Sequence, residues 1–156
     1  MEMQYEIVTL EERKAAGLSA RTNNLSPEMG QTIGGLWSRF YQEGVWKDVQ
    51  GRVNAKALGL YMDYAGTQYD DYTAAVACWV EEGSEQPEGI DTFVVPAGRY
   101  AKFIIKGDVS RTVGEFWGQV WNMDLPRAFV CDFEEYQDNE MEQAEIHIYI
   151  GLKAEE

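Results

Sequence analysis

The chain has 156 residues, of which 27 are acidic and 13 are basic, and its formal net charge is −14 at pH 7. Because nucleic-acid binding needs a basic surface, this charge argues against direct contact with DNA or RNA. The sequence contains no run of about eighteen apolar residues, so it predicts no helix that spans a membrane. An acidic surface is typical of a well-solvated protein, and it also concentrates cationic ligands near a cleft.

The first predicted strand, at residues 5–10, is rich in β-branched and aromatic residues. The four residues before it lack both a basic and an apolar stretch, so no secretory signal is expected. The region at 11–28 has no regular pattern and is expected to form a loop. It ends in a predicted helix entry, with Ser26 as the N-cap and Pro27 as the first helical residue.

A predicted helix follows, and two predicted strands complete this half of the chain. Apolar residues that recur at spacings of three and four indicate the helix. Its buried face is predicted to consist of Ile33, Leu36, Trp37 and Phe40. The strands are predicted at residues 57–64 and 72–80, and a polar stretch at 81–89 then joins the two halves.

The second half of the chain shows the same order of elements. Strands are predicted at residues 100–105, 127–136 and 145–152, with a helix between the first and the second. The apolar face of that helix is predicted to consist of Val113, Phe116, Trp117 and Val120. The predicted order is therefore β-α-β-β, twice.

An internal repeat connects the two halves. The segment Ile33-Gly34-Gly35-Leu36-Trp37 recurs as Val113-Gly114-Glu115-Phe116-Trp117, with an aliphatic residue, a glycine, an apolar residue and a tryptophan in the same places. We expect a single α+β domain over residues 1–156, built from two β-α-β-β repeats at about 1–82 and 90–156. A pseudo-two-fold axis would relate the repeats, with an antiparallel sheet, two main helices on one side of it, and a central ligand cleft.

Few residues in the sequence are suited to catalysis or to metal binding. His147 is the only histidine and is expected to lie half exposed on its strand, and the sequence has no motif typical of hydrolases, nucleotide-binding proteins or zinc sites. Cys78 and Cys131 lie in apolar strand patterns and are expected to be buried thiols of a reduced, cytoplasmic protein. We therefore expect no cofactor and no metal, and a binding protein in preference to an enzyme.

The predicted strand around residues 131–136 carries three carboxylates, although strands usually contain few acidic residues. Alternation along the strand separates two sets of side chains: Asp132, Glu134 and Tyr136 on one face, and Cys131, Phe133 and Glu135 on the other. Two interpretations are open at this point. The strand lies at a sheet edge with its acids in water, or it directs a carboxylate into the cleft, where a ligand cation would offset the cost of desolvation.

Aromatic residues are suited to form the walls of such a cleft, because ring faces attract cations and ligand pockets are largely apolar. The chain has five Trp, nine Tyr and six Phe, and most of them are expected in the core. The aromatic candidates for the ligand site are Tyr61, Tyr64, Trp79, Phe103 and Trp117.

Several segments resemble the GyrI-like, AraC-type effector-binding domain, which is also the ligand-sensing part of multidrug regulators such as BmrR and Rob. The resemblance covers nearly the whole chain. It rests on the two tryptophan helices and on the segments Gly59-Leu60-Tyr61, Val94-Val95-Pro96-Ala97-Gly98-Arg99-Tyr100-Ala101-Lys102-Phe103 and Asp132-Phe133-Glu134-Glu135-Tyr136. Free-standing members of this family include integron-cassette effector-binding proteins and a gyrase-inhibitor type.

The resemblance implies a ligand cleft between the two halves and a buried glutamate that meets lipophilic cations. Glu134 is the matching residue, with Tyr136 beside it. The expected function is stand-alone binding of a small hydrophobic or cationic, drug-like ligand, without direct contact to nucleic acid or membrane. Two alternatives stay open: a hydrolase of cyclopropane-bearing or similar reactive toxins that uses Glu134 and Tyr136, and an acidic, gyrase-inhibitor-like protein whose partner is gyrase or a regulator.

Overall fold

The computed structural model describes residues 4–67, 69–138 and 142–153, and these ranges contain eight strands and three helices. The strands are β1 (Glu6–Leu10), β2 (Arg13–Thr22), β3 (Ala57–Met62), β4 (Tyr72–Val80), β5 (Asp91–Val95), β6 (Gly98–Gly107), β7 (Arg127–Tyr136) and β8 (Ala144–Leu152). The helices are α1 (Met29–Tyr41), α2 (Val45–Asp48) and α3 (Val109–Val120). None of these helices has the length and apolar character that a membrane span needs. Residues 1–3, on which the expected lack of a secretory signal depends, lie outside the described ranges.

All eight strands belong to one antiparallel sheet, in the order β1-β6-β8-β7-β3-β4-β2-β5. Each strand of the first half has a counterpart in the second half: β1 matches β5, β2 matches β6, β3 matches β7, and β4 matches β8. Exchanging every strand with its counterpart gives the same order, read from the other end of the sheet. The predicted α+β class and pseudo-two-fold symmetry are therefore confirmed. The axis passes between β3 and β7, where Gly59 is paired with Glu134. A duplication with repeats near 1–82 and 90–156 stays a prediction, which this symmetric order supports.

Each half has one strand more, before its helix, than the sequence predicts. β5 precedes β6, and β2 occupies much of the region at 11–28 that was expected to be a loop. The loop prediction is wrong because β2 consists mainly of small and polar residues, whose strand propensity is low. Ala15 and Ala16 are fully buried, and β2 pairs with β4 on one side and β5 on the other. Its place between two strands, and not its local propensity, determines its conformation.

Two predicted boundaries also differ from the structure. α1 begins at Met29, two residues after the predicted start, and its N-cap is Glu28. Ser26 closes a separate turn before the helix, because its Oγ accepts the N–H of Glu28 at 3.2 Å and its carbonyl oxygen accepts the N–H of Met29. β3 ends at Met62 and not at residue 64, since Asp63 adopts a left-handed backbone conformation with φ 52°.

The sheet curls so that its two ends come together. Leu10 of β1 and Arg13 of β2 are separated by only two residues, a connection that spans at most about 11 Å. In a flat sheet, the first and the seventh strand would lie about 29 Å apart. The inner face of the curled sheet encloses a buried apolar cluster to which every strand contributes, with Trp79, Tyr100 and Phe133 among its large side chains.

The outer face of the sheet carries both long helices, as the repeat predicts. α1 buries Leu36 and Phe40 against one apolar cluster. α3 buries Phe116 and Val120, which occupy the same places in the repeat, against a second cluster. The sequence-predicted helix faces are therefore confirmed.

The tryptophans of the repeat have matching surroundings. Trp37 and Trp117 are half-buried, and each meets a tyrosine ring edge to face. The ring centroids lie 5.1 Å apart for Trp37 and Tyr136, and 5.4 Å apart for Trp117 and Tyr61. Tyr61 and Tyr136 are themselves counterparts. Tyr61 lies two residues after Gly59, and Tyr136 lies two residues after Glu134, the residue paired with Gly59 at the axis. The two tryptophans of the repeat therefore pack against equivalent tyrosines.

Candidate ligand-binding site

The carboxylate of Glu134 lies on the outer face of β7, and the residue is 1% exposed. Three neutral groups donate hydrogen bonds to it. Tyr61 Oη and Trp117 Nε1 donate to Oε2, at 3.0 and 2.7 Å, and Tyr136 Oη donates to Oε1 at 2.9 Å. Since β7 lies in the middle of the sheet, the interpretation of an acidic edge strand in water is wrong.

Gly59 provides the space that this carboxylate occupies. It faces Glu134 across the central strand pair. A Cβ atom at position 59 would lie 2.7 Å from Glu134 Oε1 and 3.6 Å from Cζ2 of Trp37. The first distance is well below ordinary van der Waals contact, so a larger residue at 59 would displace the carboxylate. At the pseudo-two-fold axis, β3 therefore carries Gly59 and β7 carries Glu134, so a single acid lies at the axis.

Burial sets the proton affinities of the groups around Glu134. It raises the pKa of Glu134 above the ordinary value of 4.5, although the hydrogen bonds from Trp117, Tyr136 and Tyr61 oppose this shift. Burial, reinforced by the charge of Glu134, also raises the pKa of Tyr61 and of Tyr136 far above the usual tyrosine range. Both phenols consequently stay protonated and act as hydrogen-bond donors.

A pocket of about 360 Å³ opens between α1 and α3, directly over this group. Its lining is mostly apolar and aromatic and includes Met29, Ile33, Tyr61, Tyr64, Tyr72, Val113, Trp117 and Trp121. Tyr61 and Trp117 line the pocket and also donate to Glu134, so their side chains stand between the open space and the carboxylate. The size and the aromatic character are typical of a site for a small organic ligand.

A second buried acid, Asp132, lies on the same face of β7 and is fully paired. Arg127 Nη2 donates to its Oδ2 at 2.7 Å, and Tyr64 Oη donates to the same oxygen at 2.7 Å. The backbone N–H of Gly151 donates to Oδ1 at 2.8 Å. Asp132 thus orients Arg127 and Tyr64, which both line the pocket, while its own charge is compensated within the protein.

The structure brings most of the sequence-predicted site residues together. Tyr61, Tyr64 and Trp117 line the pocket, and Glu134 and Tyr136 lie behind them. Two of the predicted residues lie elsewhere. Trp79 is on the inner face of the sheet, where its Nε1 donates to Glu135 at 2.6 Å, and Phe103 packs against Phe116 beneath α3.

Sequence reasoning missed several lining residues, some of which had a detectable signal. Trp121 lies one helical turn after Trp117 and therefore on the same side of α3. Alternation along β4 would also have assigned Tyr72 to the outer face and Trp79 to the inner face. Arg127 had no such signal, because a register shift between residues 127 and 132 interrupts the alternation of β7.

The remaining chemically notable residues lie away from the pocket. His147 is paired with Glu145 on β8, with Nε2 and Oε2 2.8 Å apart. Cys78 and Cys131 are buried free thiols, as expected. Within the described ranges, no group of three or more His, Cys, Asp or Glu side chains is arranged to hold a metal ion.

Comparison with known proteins identifies several similar chains. The model of a family described as integron-associated effector binding protein (Cass2) matches residues 6–152. An integron cassette protein from the mobile metagenome of Vibrio cholerae is 25% identical, with a TM-score of 0.78 over 96% of this chain and 95% of that one. No curated protein sequence matches.

Two further solved structures are similar at 23% identity and bear on the fold alone. One is the protein SAV2435 bound to tetraphenylphosphonium, with a TM-score of 0.80 over 97% of this chain and 94% of that chain. The other is a putative transcription regulation protein from Staphylococcus aureus, with a TM-score of 0.78 over 98% of this chain and 100% of that chain.

Proposed function

The chain belongs to the integron-associated effector binding protein family, and from this premise we propose that it binds small lipophilic cations in the pocket between α1 and α3. The observation that carries the proposal is the buried carboxylate of Glu134, whose three hydrogen-bond donors are all neutral. None of the ion pairs among the described residues involves Glu134. A buried charge without a counter-ion is costly, and a cationic ligand would supply that counter-ion.

Two attractive forces would act on a cation in this pocket. The rings of Tyr61 and Trp117 form the wall nearest to Glu134, so a cation against their faces gains cation–π attraction. The carboxylate lies immediately behind the same rings and attracts the cation through a poorly solvated region, where screening is weak. The apolar lining from α1 and α3 would bury the lipophilic part of the ligand.

A matched pair of ligands tests this proposal. Tetraphenylphosphonium, the molecule bound to the similar protein SAV2435, belongs to the ligand class proposed here. Methyltriphenylphosphonium and triphenylphosphine oxide share three phenyl groups but differ in charge. We expect the cation to bind at least about tenfold more tightly than the neutral oxide. Quenching of tryptophan fluorescence measures both affinities, since Trp117 and Trp121 line the pocket. Equal affinities would contradict the proposal.

The affinity for a phosphonium cation should depend on pH in a defined direction. Burial raises the pKa of Glu134 above 4.5, and the cation requires the ionised carboxylate. Affinity is therefore expected to increase as the pH rises from about 4.5 through the raised pKa of Glu134, and to level off above it. Phosphonium ions do not titrate, so calorimetry across this range reports on the protein. The same pH dependence in Glu134→Gln would assign the effect to another group.

The two alternative functions stay predictions. In a hydrolase, Glu134 would act as general base or orient water, and Tyr136 would act as an acid or as a hydrogen-bond donor. Burial and the charge of Glu134 raise the pKa of Tyr136 far above neutral pH, which disfavours the acid role and leaves the donor role open. Incubation with a reactive toxin and mass spectrometry of the mixture separates a hydrolase from a binding protein. Gyrase supercoiling with and without the protein tests the interaction alternative.

A further inference from the structure

A second cavity lies on the inner face of the sheet, on the side away from both long helices. It has a volume of about 390 Å³ and opens where the two ends of the curled sheet meet. Its walls include the side chains of Trp79, Phe133 and Tyr149. The rings of Phe133 and Tyr149 are stacked, with centroids 4.6 Å apart, and Trp79 meets Phe133 edge to face at 5.5 Å. These three rings form an aromatic surface that the first pocket does not share.

Glu135 supplies a buried carboxylate to this cavity. Trp79 Nε1 donates to its Oε2 at 2.6 Å and Gln137 Nε2 donates to its Oε1 at 2.8 Å. Lys56 Nζ lies 3.9 Å from Oε1 and is partly exposed. Burial alone would raise the pKa of Glu135, but these hydrogen bonds, together with the charges of Lys56 and Arg13, hold it below its ordinary value. The carboxylate is therefore ionised at neutral pH.

One planar cation already occupies the aromatic surface. The guanidinium carbon of Arg13 lies 3.7 Å from the ring centroid of Trp79, which is the geometry of a cation–π stack. Arg13 is exposed and stands at the mouth of the cavity, beside Glu11 and Glu12. Three carboxylates, those of Glu11, Glu12 and Glu135, thus face two cations here, Arg13 at the mouth and Lys56 beside Glu135.

We propose that this cavity is a second ligand site, which takes planar monocations of the amidine or guanidine class and which Arg13 occupies when no ligand is bound. A ligand cation would take the place of the Arg13 guanidinium over Trp79, with Glu135 as its counter-ion. Arg13 would move into solvent, because its side chain is exposed and begins at the first residue of β2. Arg13 therefore competes with each ligand for the aromatic surface of the cavity.

Benzamidine is a suitable probe, and nuclear magnetic resonance separates the two sites. The assigned indole N–H signal of Trp79 reports on the inner cavity, and that of Trp117 reports on the pocket between α1 and α3. In Arg13→Gln, the Kd read from the Trp79 signal is expected to fall about fivefold, because the competing cation is gone. Adding Glu135→Gln to Arg13→Gln should raise that Kd at least about tenfold, while glutamine still accepts the N–H of Trp79.

Arg111→Gln is the matched control, because it removes the same charge from an exposed position on α3. It should leave the Kd at Trp79 unchanged, and an equal gain in this variant would overturn the proposal. Unchanged or weaker binding in Arg13→Gln, or binding that is insensitive to Glu135→Gln, would also overturn it. Glu134→Gln should leave the Trp79 readout as in the wild type, so failure at one site is distinguishable from failure at the other.

Discussion

Replacing Glu134 with glutamine is expected to weaken tetraphenylphosphonium binding by about 1.5–3 kcal/mol, if the close contact of the two charges is as strong as a hydrogen bond to a charged group. Glutamine has the shape of glutamate, and its amide oxygen can still accept a hydrogen bond from Trp117 or Tyr61. The change therefore removes the charge and preserves much of the packing around the pocket. Isothermal titration calorimetry measures the loss directly.

The same substitution should preserve or increase the stability of the protein without ligand. The pKa of Glu134 is raised on folding, so the folded state holds the proton more tightly and ionisation costs stability as the pH rises above 4.5. Glutamine avoids that cost. Urea denaturation near neutral pH should show the gain, which should disappear in acid, where Glu134 is protonated. A large loss of stability at neutral pH would mean that the charge itself holds the fold together.

Glu135→Gln is the matched control, because the neighbouring residue lies on the inner face of the same strand. It should leave tetraphenylphosphonium binding nearly unchanged. If Glu135→Gln weakens binding and Glu134→Gln does not, the ligand binds on the inner face of the sheet and the proposed pocket is wrong.

Gly59→Ala is expected to lower the free energy of unfolding by about 1–3 kcal/mol, the usual cost of inserting a methyl group into a packed interior. The added Cβ would lie 2.7 Å from Glu134 Oε1, and both residues belong to central strands that cannot move apart easily. The carboxylate would be pushed from its donors, so cation affinity should fall as well. Urea denaturation and phosphonium titration measure the two effects.

Gly35→Ala provides the control for this substitution. Gly35 lies on the exposed side of α1 with no atom near its added Cβ, so alanine there should stabilise the helix by about 0.5–1 kcal/mol. Part of the cost of Gly59→Ala should also disappear when Glu134 is replaced by alanine, since the clashing carboxylate is removed. Wild-type stability and affinity in Gly59→Ala would show that Glu134 is not held where the structure places it.

Local sequence patterns predicted much of the outer face of the sheet. The repeat of the tryptophan helices predicted two equivalent helices, and strand alternation correctly separated Glu134 and Tyr136 from Glu135. These predictions hold because side-chain direction in a regular helix or strand follows from the chain's own period.

The remaining features depend on contacts that are distant in sequence. β2 was missed because its small residues acquire strand conformation from pairing with β4 and β5, and not from propensity. Arg127 and Asp132 are five residues apart and would face opposite sides of a regular strand. Phe129 has φ 54° within the register shift of β7, and this irregularity lets Arg127 meet Asp132 on one side. Neither feature has a local signature in the sequence.

The most direct test of charge recognition by the pocket compares two dissociation constants in the wild type and in Glu134→Gln. The quantity measured is the Kd of triphenylphosphine oxide divided by the Kd of methyltriphenylphosphonium. Apolar contacts are common to both ligands, so the ratio isolates the contribution of charge. We expect a ratio of at least about ten in the wild type, and a clearly smaller ratio in Glu134→Gln, where cation–π attraction is the only preference for the cation that is left. A ratio that is the same in both proteins would contradict the assignment of cation recognition to Glu134.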